Sequence, residues 1–187
     1  MMKIALISGT PKSQGLCHNI IDAVKRGAAD GGAEVVELKI CDLGLSPCQV
    51  CDEGWGICRT EHRCVIEDGF ADAKALLASC DAFVLATPVY WWEVSEPLKN
   101  FMDRVRRCEF GQEGALSGKQ ALLIAVPGGS GNGLLSCLEQ MERFCRHTGA
   151  VIFDYIGVNR WNSDYKKEAA YAAAHSIAAG RRNGQTV

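Results

Sequence analysis

The chain of 187 residues is 48% hydrophobic and 22% charged, enough apolar material for a substantial core in a single domain at 1–187 without covalent staples. Its formal net charge of -2 supplies no basic field for nucleic acid or for an anionic membrane, so neither is expected as a partner. The opening stretch MMKIALISGTPKSQG has too short an apolar run for a signal peptide or a membrane span, which predicts a cytoplasmic protein whose ten cysteines are thiols rather than a disulfide framework.

Apolar runs at 3–8, 34–40, 82–86, 120–126 and 150–158 are rich in Ile, Val, Leu and Ala. Apart from the partly alternating second, they are too continuous for strands with one wet face and predict a parallel sheet covered on both sides. Between them, 19–29, 70–78, 98–105, 134–144 and 166–179 carry apolar or Ala-rich residues at helical spacing. Strand and helix patterns alternate, so the expected fold is α/β and doubly wound. The one long irregular connection is 41–68, a length that in a compact domain marks function or disorder.

In such sheets ligands bind outside the carboxyl ends of the strands, so the residues after each run are the ones to read. After the first run comes SGTPKSQGLCHN at 8–19, small and hydroxylated, with one cation at Lys12 and a helix to follow. Backbone N–H groups, hydroxyls and a helix N-terminus suit a phosphate, although an ordinary polar turn offers the same donors. The stretch has neither the Walker spacing nor G-x-G-x-x-G. After the third run comes TPVYWWEVSEPLKNFMDR at 87–104. Its aromatic rings suit a planar ligand, or else a core or subunit interface, and Ser95 is placed to cap a helix whose second position is Pro97. After the fourth, PGGSGNG at 127–133 lets backbone approach a ring closely. Acid/base groups are sparse: His18, His62, His147 and His175 fit no metal or triad pattern, G-x-S-x-G is absent, and no catalytic side chain is nominated.

Taken together, the three loops resemble those of the flavodoxin-like NAD(P)H-dependent FMN reductase family, including its iron–sulfur flavoprotein branch, over most of the chain. The resemblance implies a five-stranded parallel sheet with helices on both faces and FMN at its carboxyl edge. It also implies hydride transfer from NAD(P)H and a small acceptor such as a quinone, a nitro or azo compound, free flavin or a metal complex. By position, Thr10, Lys12, Gln14, Gly15, Leu16 and Cys17 would hold the phosphate, with Leu16 and Cys17 standing where the family has Asn and a hydroxyl residue. Pro88, Val89, Tyr90 and Trp91 would hold the isoalloxazine, and Gly128, Gly129, Ser130 and Gly131 would border its other edge. Family members commonly pair, which implies a homodimer or a higher homo-oligomer. Two other functions suit the same fold: a flavodoxin-type electron carrier, usually more acidic than this chain, and a cofactor-free interaction domain.

Cys48, Cys51, Cys58 and Cys64 fall in the irregular segment, separated by two, six and five residues. The iron–sulfur branch carries four clustered cysteines here, commonly with the first three separated by two residues each. A structural zinc would show two close pairs, whereas only Cys48/Cys51 is close. The spacing and the compartment favour reduced thiols in a lid, with a [4Fe–4S] cluster, zinc or a disulfide as the alternatives. The other six cysteines read as small hydrophobes.

Overall fold

A computed structural model of the chain describes residues 1–181, so positions 182–187 of the expected domain lie outside the described residues. In chain order the elements are β1 (Lys3–Ser8), α1 (Leu16–Asp30), β2 (Glu34–Lys39), α2 (Phe70–Ser79), β3 (Ala82–Tyr90), β4 (Glu93–Val94), α3 (Glu96–Glu109), β5 (Gln120–Val126), α4 (Leu134–Thr148), β6 (Val151–Gly157) and α5 (Ser163–Ala178). Parallel strands lie in the order β2-β1-β3-β5-β6, the flavodoxin-like arrangement. The sheet has six strands rather than the five expected, because β3 runs past Ala86 to Tyr90 and turns back as β4, with Val89 opposite Val94 and Tyr90 opposite Glu93. So short a strand shows no periodicity, and the Trp91-Trp92 turn lacks the Asn-Gly type of sequence that announces a hairpin.

Period-two alternation with apolar residues on both sides gives the sheet two cores. From β1, Ala5 and Ile7 enter one and Ile4 and Leu6 the other; from β3, Phe83 and Leu85 oppose Val84 and Ala86; from β5, Leu123 opposes Leu122 and Ile124. The first core is closed by α2, α3 and α4 through Phe70, Leu77, Phe101, Val105, Met141 and Phe144, the second by α1 and α5 through Ile20, Ile21, Val24, Ala174 and Ile177. Burying each large side chain contributes roughly 1.5–3 kcal/mol. The Ala-rich α5 lies so close to α1 that a Cβ on Gly27 would sit 2.2 Å from the Tyr171 carbonyl oxygen. At β6 the expectation of cover on both sides fails: it is a sheet edge, its register slips beside Ala121/Leu122, and Val151, Asp154 and Tyr155 are exposed.

Ser95 occupies the N-cap of α3 as expected, with Pro97 in the first turn, but its hydroxyl makes no capping bond. Its N–H donates to the Thr87 hydroxyl at 3.1 Å, tying the start of α3 to the end of β3. Among the described residues no helix is long and apolar enough to cross a membrane.

Candidate functional site

At the carboxyl ends of β1, β3 and β5 lies a cavity of about 360 Å³. It collects Thr10, Lys12, Gln14, Gly15, Leu16 and Cys17 from the first loop, Pro88, Val89 and Tyr90 from the second, and Gly128 and Gly129 from the third. Trp91 does not join them: it points outward, 90% exposed. Ser130 and Gly131 also lie outside the lining, which instead includes Val126, Pro127 and Arg160. Val126 and Pro127 simply precede the glycines. Arg160 follows β6, and reading the residues after the last strand as closely as those after the other three would have found it.

The first loop is built for an anion. Gly9 N–H donates to Ala86 O at 2.9 Å, continuing the ladder to the sheet's edge, and the chain then turns with Thr10 Oγ1 accepting from Lys12 N at 3.3 Å. Helix α1 begins after Gly15, whose φ of 106° is one that residues with a Cβ rarely adopt. It has no side-chain cap and no acidic residue in its first turn. Its leading N–H groups and the positive end of its dipole are therefore free for a ligand beside the Lys12 cation. Burial pushes the Cys17 thiol up to about 12, more than the Thr10 hydroxyl's hydrogen bond lowers it. It is a neutral thiol at physiological pH, so the residue standing in the place of a hydroxyl adds no negative charge where an anion would sit.

The second loop is strained and clamped. Trp91 (φ 50°) and Trp92 (φ 68°) both adopt the left-handed region at the tip of the β3–β4 hairpin, where the turn geometry suits the sheet's twist but ordinarily calls for Asn or Gly. Two contacts offset this cost. Val94 N–H donates to Gln140 Oε1 at 3.3 Å, and Trp92 lies against Gly133, where a Cβ would come within 2.5 Å of Trp92 Cα. Gly133 has φ 77° at the start of α4, so position and conformation both call for glycine. The clamp fixes Tyr90 as a wall between the first cavity and a second of about 510 Å³, bounded by Pro47, Cys48, Trp91, Glu93, Glu96 and Lys99 among others.

The 41–68 segment is held differently. Arg104 of α3, with a side chain 1% exposed, donates from Nη1 to Asp68 Oδ2 (2.7 Å) and Ser46 O (3.1 Å), and from Nη2 to Asp68 Oδ1 (3.0 Å) and Cys64 Sγ (3.4 Å). Its guanidinium lies 4.1 Å from the Phe70 ring centre. Burial pushes the Asp68 carboxyl up, but hydrogen bonds from Arg104 and from the Ser46 and Phe70 amides outweigh it and hold the group below its ordinary value. Asn100 Nδ2 donates to the carbonyls of Leu45 and Ser46, and Arg107 donates to Gly54 O at 2.6 Å while lying over Trp55. Cys48, Cys51, Cys58 and Cys64 meet with Cys108 around one cavity of about 20 Å³, space for a single water. All ten cysteines are free, and among the described residues no three His, Cys, Asp or Glu side chains converge to hold a metal ion. Of the remaining six, Cys17, Cys80, Cys108, Cys137 and Cys145 are buried, and burial pushes Cys108, Cys137 and Cys145 to about 12, as inert packing thiols.

The sequence model of the NADPH-dependent FMN reductase family matches residues 2–163. The chain belongs to that family. The family's description makes FMN the group against which the crevice is to be tested. An iron-sulfur flavoprotein of Archaeoglobus fulgidus is 32% identical over 130 residues, 70% of this chain and 56% of that protein, so this chain spans little more than half of that relative's length. An iron-sulfur flavoprotein of Methanosarcina thermophila is 28% identical over 167 residues, 86% of this chain and 83% of that one. The solved structure of an NAD(P)H:quinone oxidoreductase from Methanothermobacter marburgensis shares the fold, with a TM-score of 0.73 over 98% of each chain at 13% identity.

The cavity fits FMN by its own chemistry. About 360 Å³ is within the usual range for a small-molecule site, the first loop brings it a cation and an uncapped helix N-terminus for a single phosphate, and the other two loops bound it with Tyr90 and the side-chain-free backbone of Gly128 and Gly129.

Proposed function

We propose that this protein is a cytoplasmic FMN-dependent NAD(P)H oxidoreductase of one flavodoxin-like domain at 1–187, with a small molecule such as a quinone as acceptor. The observation that carries the reading is a single crevice with anion-binding features at one end and ring-binding features at the other. Thr10, Lys12, Gln14, Gly15, Leu16 and Cys17 hold the phosphate through N–H groups, one hydroxyl and one cation. Pro88, Val89, Tyr90, Gly128 and Gly129 clasp the isoalloxazine, while Trp91, Ser130 and Gly131 border it from the mouth. When bound, FMN supplies the two-electron hydride chemistry that the sparse acid/base side chains do not. The task of the chain is to fix the ring, exclude water and leave one face open for the nicotinamide and then the acceptor. The second cavity beside Tyr90 gives that approach, and the carboxylates of Glu93 and Glu96 there favour neutral over anionic acceptors.

Trp91, Trp92, Leu135, Trp161 and Tyr165, which follow the carboxyl ends of β3, β5 and β6 in sequence, are exposed, more apolar surface than one ring covers, which supports a homodimer or higher homo-oligomer closing over the site. With ten free thiols and a net charge of -2, the protein is read as cytoplasmic and without nucleic-acid or membrane partners.

Heat extraction followed by mass identification should yield one FMN per chain, and the purified protein should oxidise NADPH or NADH when a quinone is present. Flavin without nicotinamide oxidation would leave an electron carrier; no flavin would overturn the reading. A second reading keeps the flavin and adds an iron–sulfur cluster at Cys48, Cys51, Cys58 and Cys64. It is favoured by their facing one cavity and opposed by the small size of that cavity. About four irons and four sulfides per chain in anaerobically purified protein would decide for it.

A further inference from the structure

Arg160 is the one cation of the crevice that the proposed cofactor contacts leave without a task. It follows β6 in a four-residue turn that two asparagines lock from opposite sides. Asn159 Oδ1 accepts from Trp161 N at 3.0 Å and from Asn162 N at 3.1 Å, while Asn162 Oδ1 accepts from Asn159 N at 2.8 Å. The turn then packs on the glycine loop, because a Cβ on Gly129 would lie 3.6 Å from Arg160 Nη1 and one on Gly131 would lie 3.3 Å from Asn159 Nδ2. The guanidinium is oriented by the Trp161 ring, 4.5 Å below it, and among the described residues it makes no ion pair or hydrogen bond. A positive charge is thus presented to the cavity on a rigid turn, with its donors unspent.

Strand order says which end of the ligand it meets. The loops of the crevice follow the strands β1, β3, β5 and β6 in spatial sequence, so three strand spacings of about 4.8 Å, roughly 14 Å in all, separate the Arg160 turn from the Lys12 loop. With the phosphate at Lys12, Arg160 stands at the ring end. There the charge changes during turnover. Hydride transfer from a nicotinamide delivers two electrons and one proton to a neutral ring, which leaves a net negative charge on its pyrimidine edge until a second proton arrives or the electrons depart. A fixed cation beside that edge binds the reduced ring more tightly than the oxidised one.

We propose that Arg160 is a redox-tuning residue, a cation held at the ring end of the crevice that selectively stabilises the reduced flavin and so raises the midpoint potential of the bound cofactor. The proposal rests on the FMN reading of the crevice, and the test separates the two. FMN dissociation constants are measured anaerobically for the oxidised and the dithionite-reduced forms, in the wild type, Arg160→Gln and Arg160→Lys, with Lys12→Ala beside them. Arg160→Gln should weaken reduced FMN at least tenfold more than oxidised FMN, which equals about 30 mV of lowered potential for a two-electron couple. Arg160→Lys should recover most of that difference, and Lys12→Ala should weaken both forms alike. If Arg160→Gln leaves the ratio of the two constants at the wild-type value, the proposal fails while the FMN site stands, and a raised KM for NADPH in that variant would make Arg160 a nucleotide-docking residue instead. If the wild type binds neither form, the FMN reading and the proposal fall together.

Discussion

Helix α3 is tied at its start to the strand end beneath the candidate crevice and along its length to the cysteine loop, and the two are held by opposite means. At its start, Ser95 N–H meets the Thr87 hydroxyl beneath the crevice, whose walls are shaped by sheet register and by places where a side chain is missing, Gly133 under Trp92 above all. Further along, Asn100, Arg104 and Arg107 rise from one face, at steps of four and three, to grip carbonyls of the 41–68 segment. A site assembled from backbone keeps its shape when a polar side chain is exchanged and loses it when a side chain is added. A loop pinned by a few long side chains behaves the other way round, and that contrast can be broken by mutation.

The largest effect should come from Arg104→Leu, which leaves the Asp68 carboxylate in a nearly closed environment without its counter-charge, held by the Ser46 and Phe70 amides alone, and leaves the Ser46 carbonyl to Asn100. Breaking such a pair costs about 3–5 kcal/mol, to be read from urea unfolding. A loss below about 1 kcal/mol would show that the loop is anchored elsewhere. The pair also carries a pH signature. Because the Asp68 carboxyl is held below its ordinary value of 3.8, its contribution is fully present above that value and disappears as pH falls through the lower folded one. Wild-type stability should therefore drop on the acid side of 3.8 more steeply than that of Arg104→Leu.

Next is Gly133→Ala, the converse experiment. Its added Cβ would lie 2.5 Å from Trp92 Cα at a φ of 77°. Overpacking costs about 1–3 kcal/mol and the left-handed backbone about 1–2 more, with partial relief as the hairpin shifts. Tyr90 moves with the hairpin, so FMN affinity should fall together with the melting temperature. If stability falls and affinity does not, the hairpin is not a wall of the cofactor site.

The same contrast explains what was legible in the sequence. Strands buried on both faces announce themselves as unbroken apolar runs, so β1, β3 and β5, and the loops at their carboxyl ends, could be located from residue order alone. Hidden were features that depend on a partner far along the chain. Trp91 and Trp92 form a turn only because Gly133 and Gln140 clamp it, and Trp91 is thereby thrown outward from the ring position that its place in the motif implied. Arg104 reads as one more charge on an amphipathic helix, yet it is buried, since Asp68 lies 36 residues earlier and no local pattern links the two. Arg160 follows the edge strand β6, whose run is legible at 150–158, but its loop carries no glycine or phosphate-type pattern and joins the crevice only by packing on Gly129, about thirty residues earlier.

A smaller change, confined to the ligand, is expected for Lys12→Ala. The Lys12 side chain is exposed, so its removal leaves no cavity and should not alter unfolding. What goes is a charge-assisted hydrogen bond to phosphate of about 1.5–3 kcal/mol, so FMN should bind about 10- to 150-fold more weakly in a fluorescence titration. Unchanged affinity would assign Lys12 to solvent and leave the phosphate to the N–H groups of α1.

The smallest structural effect is expected from replacing Cys48, Cys51, Cys58 and Cys64 together with serine. Their loop is pinned by Arg104, Asn100 and Arg107, and among the four only Cys64 takes part in that anchoring, as an acceptor 3.4 Å from Arg104 Nη2. A serine oxygen accepts from a guanidinium at least as well as a thiol, and the cavity of about 20 Å³ that the four share gains little by the exchange. Stability should stay within about 1 kcal/mol of the wild type, with the flavin absorbance intact. Function is the more sensitive readout: Cys48 also borders the second cavity beside Tyr90, so the acceptor's KM should move while that for NADPH does not. A quadruple variant that loses iron, sulfide and several kcal/mol of stability would make these thiols ligands of a cluster, and the loop would then be held by metal as well as by α3.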